Sequence, residues 1–263
     1  MLKQRFVTAV LGVFVVIGAM FAGQLPWRLL IGISTLAAVA EFSAMLGFGL
    51  KSLLAWWGFA VVFWVEMDEG WHSPLFFQVA VGVTLLLPVL LRNRVTLMQS
   101  GAVLVGALYI GYGGVGLIAL RNLPNGRAWL LLFLVSIWFT DTFAYFIGRK
   151  VQGPKLWPSI SPKKTISGSL GGMAGGALGA LIVGLAFLGP GASFGYVVLG
   201  LTISVLGQVG DLVESAYKRS AGVKDSGHLL PGHGGMLDRV DSLLFAAPFT
   251  FYIVAAGLSG WLR

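Results

Sequence analysis

The run SGSLGGMAGGALGALIVGLAFL, residues 167–188, contains no charged residue and no proline. About 20 consecutive apolar residues cross the hydrocarbon core of a bilayer as a helix, and this run is long enough to do so. Its glycines form two rows: Gly168, Gly172 and Gly176, and Gly171, Gly175 and Gly179. A spacing of four aligns each row along one helix face. Small residues there let a second helix approach closely. A phosphate-cradling glycine loop would need a strand–turn–helix context that is missing. Tight helix packing, within the fold or across a homodimer, is the better reading.

Outward from this run the chain keeps the same character. Charged residues make up 11% of its 263 positions and hydrophobic residues 57%, and mean hydropathy is +0.86. Ordinary soluble domains carry roughly 25% charged residues, so the bilayer must be the main solvent. Eight further segments qualify as spans: 5–22, 26–46, 52–66, 74–91, 101–120, 128–147, 193–214 and 240–261. Their apolar runs are continuous, not alternating, which excludes a membrane β-barrel. The expected fold is all-α: a polytopic membrane helix bundle with about nine transmembrane helices. Residues 1–100 supply the N-terminal helices. Residues 101–263 supply a catalytic region with loops at 148–166 and 215–239. Met1–Gly23 resembles a signal peptide, but hydrophobic segments follow at once, so it reads as a retained first helix.

Basic residues orient the chain. With the N-terminus cytoplasmic, all but four of the 18 lysines and arginines fall on that side; Arg28, Arg121, Arg127 and Arg263 are the exceptions. Glu66, Asp68 and Glu69 then fall in an outer loop. The net charge of +8 is spread through short segments between apolar runs. That pattern points to anionic lipid headgroups and phosphorylated substrates, not nucleic acid. Cysteine is absent, which excludes disulfides and thiol chemistry.

Six of the ten acids are Asp141, Asp211, Glu214, Asp225, Asp238 and Asp241. Embedded acids are costly and functional by default, and Asp141 and Asp211 fall inside spans, near the cytoplasmic ends, as does Glu41. The densest polar stretch is DLVESAYKRSAGVKDSGHLLPGHGGMLDRVDS, residues 211–242. Asp211, Glu214 and Lys218 share a helical face. Lys218, Arg219, Lys224 and Asp225 are expected to enter a loop. Pro231, Gly232, Gly234 and Gly235 break helix there and are expected to leave backbone N–H groups free around His233. A loop serine such as Ser226 has no special turn around it, so no Ser–His–Asp site is implied. Asp238 and Asp241 open the last helix, where carboxylates suit the dipole. This is the composition of hard-cation chemistry, in which carboxylates hold magnesium against phosphates and Lys and Arg neutralise phosphoryl charge.

The order of these residues resembles the signature of phosphatidate cytidylyltransferases (CDP-diacylglycerol synthases). The matching positions are Ser215, Lys218, Arg219, Lys224, Asp225, Pro231, His233, Gly234, Gly235, Asp238, Arg239 and Asp241. DTFAYFIGRK, from Asp141 to Lys150, and Ser161-Pro162-Lys163-Lys164-Thr165 resemble two further family elements. Tyr217 stands where the family usually has an aliphatic residue, and Ser167 where it often has Glu or Gln. The resemblance implies CTP and phosphatidic acid as substrates, with CDP-diacylglycerol and pyrophosphate as products. It also implies Mg²⁺ dependence, with Asp211 and Asp238 as ligands and room for a second cation. Asp241 and Asp225 would support them. Lys218, Arg219, Lys224 and Arg239 would neutralise phosphates, and His233 with Gly234 and Gly235 would orient the triphosphate. Ser161, Lys163, Lys164 and Thr165 would hold lipid phosphate or close over CTP, with Asp141 completing the cavity. A multi-pass protein of the bacterial plasma (inner) membrane, its site facing the cytoplasm, is the expected setting. A CTP-dependent lipid-alcohol kinase and an ion-coupled transporter are the alternative readings.

Overall fold

The computed structural model describes residues 2–67, 74–229, 234–257, 260 and 262. Nine α-helices lie among them: α1 (Leu2–Ala22), α2 (Gln24–Met45), α3 (Leu53–Met67), α4 (Pro74–Leu90), α5 (Leu97–Asn122), α6 (Gly126–Val151), α7 (Ile166–Phe187), α8 (Ser193–Ser220) and α9 (Leu237–Gly257). Each apolar segment read from the sequence falls on one of them. Six, α2 and α5 to α9, are long and apolar enough to cross a membrane. The apolar part of α1, together with α3 and α4, is shorter. This is an all-α, polytopic membrane protein.

The loop expected at 148–166 is more ordered than a loop. It opens with the last turn of α6 and continues as an antiparallel hairpin of β1 (Lys155–Trp157) and β2 (Ser161–Thr165). Pro154 and Pro158 rule out helix between α6 and α7. The loop at 215–239 is correspondingly shorter, because α8 runs to Ser220 and α9 begins at Leu237. Lys218 and Arg219 therefore ride the last turn of α8 and do not enter a loop. Cations suit the negative end of a helix dipole, and Lys218 pairs with Glu214 one turn earlier.

The chain forms two compact units, Met1–Val115 with Ser220–Val240, and Gly116–Arg219 with Asp241–Arg263. In the first, Leu54, Leu87, Val95 and Val103 form a buried cluster. Gly106 of α5 lies so close to Phe42 of α2 that a Cβ would sit 2.0 Å from the ring. Glu66, expected in an outer loop, belongs instead to the last turn of α3. Its Oε1 accepts from Thr35 Oγ1 at 2.7 Å. The neutral hydroxyl gives the acid a partner, and that keeps it inside the helix packing.

In the second unit both glycine rows of α7 turn to α6. A Cβ on Gly168 or Gly172 would meet the Ala144 or Thr140 carbonyl oxygen at 2.9 and 3.0 Å, and one on Gly175 would meet the Phe143 ring at 2.6 Å. The rows are thus used inside one chain. Helix α8 closes on the same surface, with Gly200 against Ala180 and the Gly176 carbonyl oxygen, and with Gly207 against Ile137. Gly210 continues the contact onto α9, where a Cβ would lie 2.9 Å from the Asp241 carbonyl oxygen.

Gly176 is the tightest test of this packing, since a Cβ there would lie 2.6 Å from Thr140 Oγ1 and 2.8 Å from Ser204 Cβ. Gly176→Val should destabilise the protein by at least ~1–3 kcal/mol, the usual cost of overpacking, and lower the thermal midpoint in detergent. Gly82→Ala, where nothing lies within 4 Å, should leave that midpoint unchanged or slightly raised.

Candidate active site

The second unit holds a cavity of about 860 Å³ at the cluster formed by the end of α6, the hairpin and the start of α7. Asp141, Tyr145 and Arg149 reach it from α6, Lys155, Lys163, Lys164 and Thr165 from the hairpin, and Gln208 and Asp211 from α8. Two acids thus face four basic side chains. Lys164 Nζ lies 2.6 Å from Asp211 Oδ2, with both side chains about one-third exposed. Thr165 caps α7, its Oγ1 accepting from Gly168 N at 3.1 Å. Ser167, where the resembled family often has Glu or Gln, donates to the Gln152 carbonyl and so ties the start of α7 to the end of α6. Ser161 begins β2 but is not part of the cavity wall.

Helix α8 is 28 residues long. At 1.5 Å per residue it spans about 42 Å, more than the ~30 Å hydrocarbon core. Its polar end carries Asp211, which accepts from Ser215 Oγ at 3.4 Å, and Glu214, which is fully buried and paired with Lys218. Arg219 Nε donates to the Ile160 carbonyl in the hairpin turn at 3.4 Å. Asp241, buried on α9, lies within electrostatic reach of Asp211, Asp141 and Lys218. Among the described residues no three acids or histidines close into a ready-made metal cage. Magnesium usually takes only one or two carboxylates and fills its remaining positions with water and phosphate oxygens. The oxygen donors of Asp141 and Asp211 in one cavity fit that requirement, and Asp211 already sits beside a cation.

In the first unit, Lys224 and Asp225 are exposed and Ser226 is buried. Asp238 Oδ2 accepts from Ser226 N, Ser226 Oγ and Gly235 N at 3.0, 3.0 and 2.9 Å. Glu41 of α2 accepts from Met236 N and Leu237 N, both at 2.9 Å. The amides at 235–237 are therefore taken, whereas the glycine-rich sequence suggested free N–H groups around His233. Carboxylates occupy them, because the exposed N–H groups that open a helix need acceptors when buried. Gly234 adopts φ +83°, a conformation that favours glycine. Arg239 is exposed on the first turn of α9. His233, with Pro231 and Gly232, lies outside the described residues.

Residues 3–256 match the model of the "Cytidylyltransferase family". A phosphatidate cytidylyltransferase of Bacillus subtilis (strain 168) is 38% identical over 266 residues, covering 97% of this chain and 98% of that protein. Proteins of the same name from Brucella abortus (strain 2308) and Staphylococcus aureus (strain COL) are 37% and 34% identical, each covering over 90% of both chains. This chain belongs to the phosphatidate cytidylyltransferase family.

Of the residues that the family signature singles out, Asp141, Lys163, Lys164, Thr165 and Asp211 share one cavity. Gly234, Gly235 and Asp238 share the hydrogen-bonded turn ahead of α9. Sequence reasoning passed over Tyr145, Arg149, Lys155 and Gln208 in the cavity wall, and it gave no role to Ser226. Glu41 was noted only as an embedded acid, although it is the sole acid before Glu66, which marks it out in a membrane helix.

The buried Glu214–Lys218 pair separates structural from catalytic roles. Lys218→Met leaves a buried carboxylate uncompensated and should cost ~3–5 kcal/mol. The double variant Glu214→Gln/Lys218→Met should recover most of that loss in a detergent unfolding measurement. If the double variant folds but fails to turn over, Lys218 has a role in the chemistry beyond the pair.

Proposed function

We propose that this protein transfers the cytidylyl group of CTP to phosphatidic acid, giving CDP-diacylglycerol and pyrophosphate. It would do so at the cytoplasmic face of the plasma membrane, crossing it nine times with the N-terminus inside. The cavity that joins Asp141 and Asp211 to Lys163, Lys164, Lys155 and Arg149 carries this reading. Its family supplies the substrate pair. In the step proposed, a phosphatidate phosphate oxygen attacks the α-phosphorus of CTP. The bond to the β-phosphate oxygen breaks, and pyrophosphate departs with the electron pair. A phosphate monoester, with a second pKa of about 6, is already mostly dianionic near neutral pH, so no general base is assigned.

Asp211 in the cavity and Asp238 at the head of α9 are the proposed magnesium ligands, with Asp241 and Asp225 in support. The ion, when bound, offsets charge that develops on the departing phosphates. Lys163, Lys164, Lys155 and Arg149 bind phosphate oxygens and hold the two reactants in line. Asp211 and Lys164 neutralise each other in the free enzyme. With substrates bound, Lys164 becomes a phosphate partner and Asp211 a cation partner, so neither is left uncompensated in either state. Lys218, Arg219, Lys224, Arg239 and His233 are proposed to complete the charge balance around the triphosphate. A homodimer would need a surface other than the glycine rows of α7.

Purified protein given CTP, phosphatidic acid and Mg²⁺ should release pyrophosphate and form CDP-diacylglycerol. Release of CDP would mark a lipid kinase, and failure to bind labelled CTP a transporter. Asp211→Asn should lower turnover roughly 10²–10³-fold, the scale of losing one electrostatic group at a transition state. Full turnover would remove Asp211 from the site.

The orientation has its own test, since the chain lacks cysteine. Ser159→Cys in the hairpin turn should label only from the cytoplasmic side, and Ser193→Cys at the start of α8 only from the other. The opposite pattern would invert the topology.

A further inference from the structure

Four consecutive backbone N–H groups lead into α9, and each finds a side-chain oxygen. Gly235 N donates to Asp238 Oδ2 at 2.9 Å, Met236 N to Glu41 Oε1 at 2.9 Å, Leu237 N to Glu41 Oε2 at 2.9 Å, and Asp238 N to Ser226 Oγ at 3.3 Å. Two of the four thus rely on a residue nearly 200 positions earlier in the chain. Glu41 is about nine-tenths buried. We propose that Glu41 is a positioning residue for cytidylyl transfer: from α2 it caps α9 and fixes the turn that carries Lys224, Asp225, Asp238 and Arg239. This rests on the reading of that turn as part of the catalytic site.

The geometry is specific to a carboxylate. Glu41 and Asp238 share the Ser226 hydroxyl, each 3.0 Å from its oxygen. A hydroxyl has one proton and serves one of them at a time. The second donors must be amides: Met236 and Leu237 for Glu41, Ser226 and Gly235 for Asp238. A carboxamide at position 41 would turn N–H₂ donors toward N–H donors and lose one of the two amide bonds. Space is equally restricted. A Cβ on Gly227 would lie 2.6 Å from Glu41 Oε1, and one on Gly235 would lie 2.4 Å from Oε2. Both glycines let the backbone close around this one side chain. Lys224 and Asp225 immediately precede Ser226, and Arg239 immediately follows Asp238, so the network brackets the charged residues assigned to the triphosphate. Glu41 itself touches no substrate in this scheme, and it acts through the backbone it holds.

The test compares wild type with Glu41→Gln, Glu41→Asp, Ser226→Ala, Lys224→Ala and Asp225→Asn. Each is assayed in mixed micelles with CTP, phosphatidic acid and Mg²⁺, and all but Lys224→Ala also by limited trypsin digestion at Lys224. Glu41→Gln should lower kcat by ~10–100-fold, as loss of an orienting partner typically does. It should leave the phosphatidic acid KM near wild type and speed cleavage after Lys224. Glu41→Asp, which keeps the charge, should recover part of kcat. Glu66→Gln, which removes another embedded carboxylate of the same unit, should keep wild-type turnover and cleavage. If Glu41→Gln does not accumulate as folded protein, Ser226→Ala removes the shared hydroxyl with both carboxylates in place, and it should show the same two changes. Wild-type kcat and unchanged cleavage in Glu41→Gln, or in Ser226→Ala where the first does not fold, would overturn the proposal. Full turnover in both Lys224→Ala and Asp225→Asn would overturn the reading of the turn on which it rests.

Discussion

A buried charge in a membrane protein must be compensated, and the polar half of this chain follows from that requirement. Isolated charges inside a bilayer cost at least about 2.5 kcal/mol on insertion scales, and burial without a partner costs more. Five of the described acids have a named partner. Glu214 has Lys218, and Asp211 has Lys164. Glu41 and Asp238 have backbone amides and Ser226. Glu66 has a threonine hydroxyl. Three solutions are at work: ion pairs where a lysine is within one turn or on a facing hairpin, helix-end amides at the head of α9, and a single hydroxyl for Glu66.

The second solution ties the fold to the site. Helix ends expose N–H groups that require acceptors, and an anion there is also favoured by the helix dipole. Meeting that need with Glu41 lets a distant helix set where α9 begins. Asp238 meets it locally by folding back on its own turn, which Gly234 permits through its positive φ. The glycine rows of α7 serve a parallel end in the second unit. They bring α6 close enough for Asp141, Tyr145 and Arg149 to reach the same cavity as the hairpin lysines. Helix packing and site assembly are therefore one problem in this protein.

Most of the helical layout was legible because hydropathy is local. A run such as 167–188 declares itself without reference to any other segment. The cavity acids Asp141 and Asp211 were legible for the same reason, as charges in apolar surroundings. The hairpin was not, because five residues of β2 rich in lysine carry no alternating pattern; only pairing with β1 makes them a strand. The role of Glu41 could not be read either. Its partners, Ser226, Met236 and Leu237, lie far away in sequence, and two of its bonds go to backbone groups that have no residue identity to recognise.

The same reasoning applies to the glycine-rich turn. Gly234 and Gly235 were expected to leave amides free around His233, and unhindered amides are what an anion needs. In a membrane helix an unoccupied cradle is expensive, so the chain fills it with carboxylates of its own. That choice has a chemical consequence. A helix end whose amides are taken by Glu41 and Asp238 keeps little positive charge of its own. Positive charge is concentrated instead in the cavity of the second unit, on Lys155, Lys163, Lys164 and Arg149. Glu41 and Asp238 at the head of α9 act as structural anchors for the turn they cap.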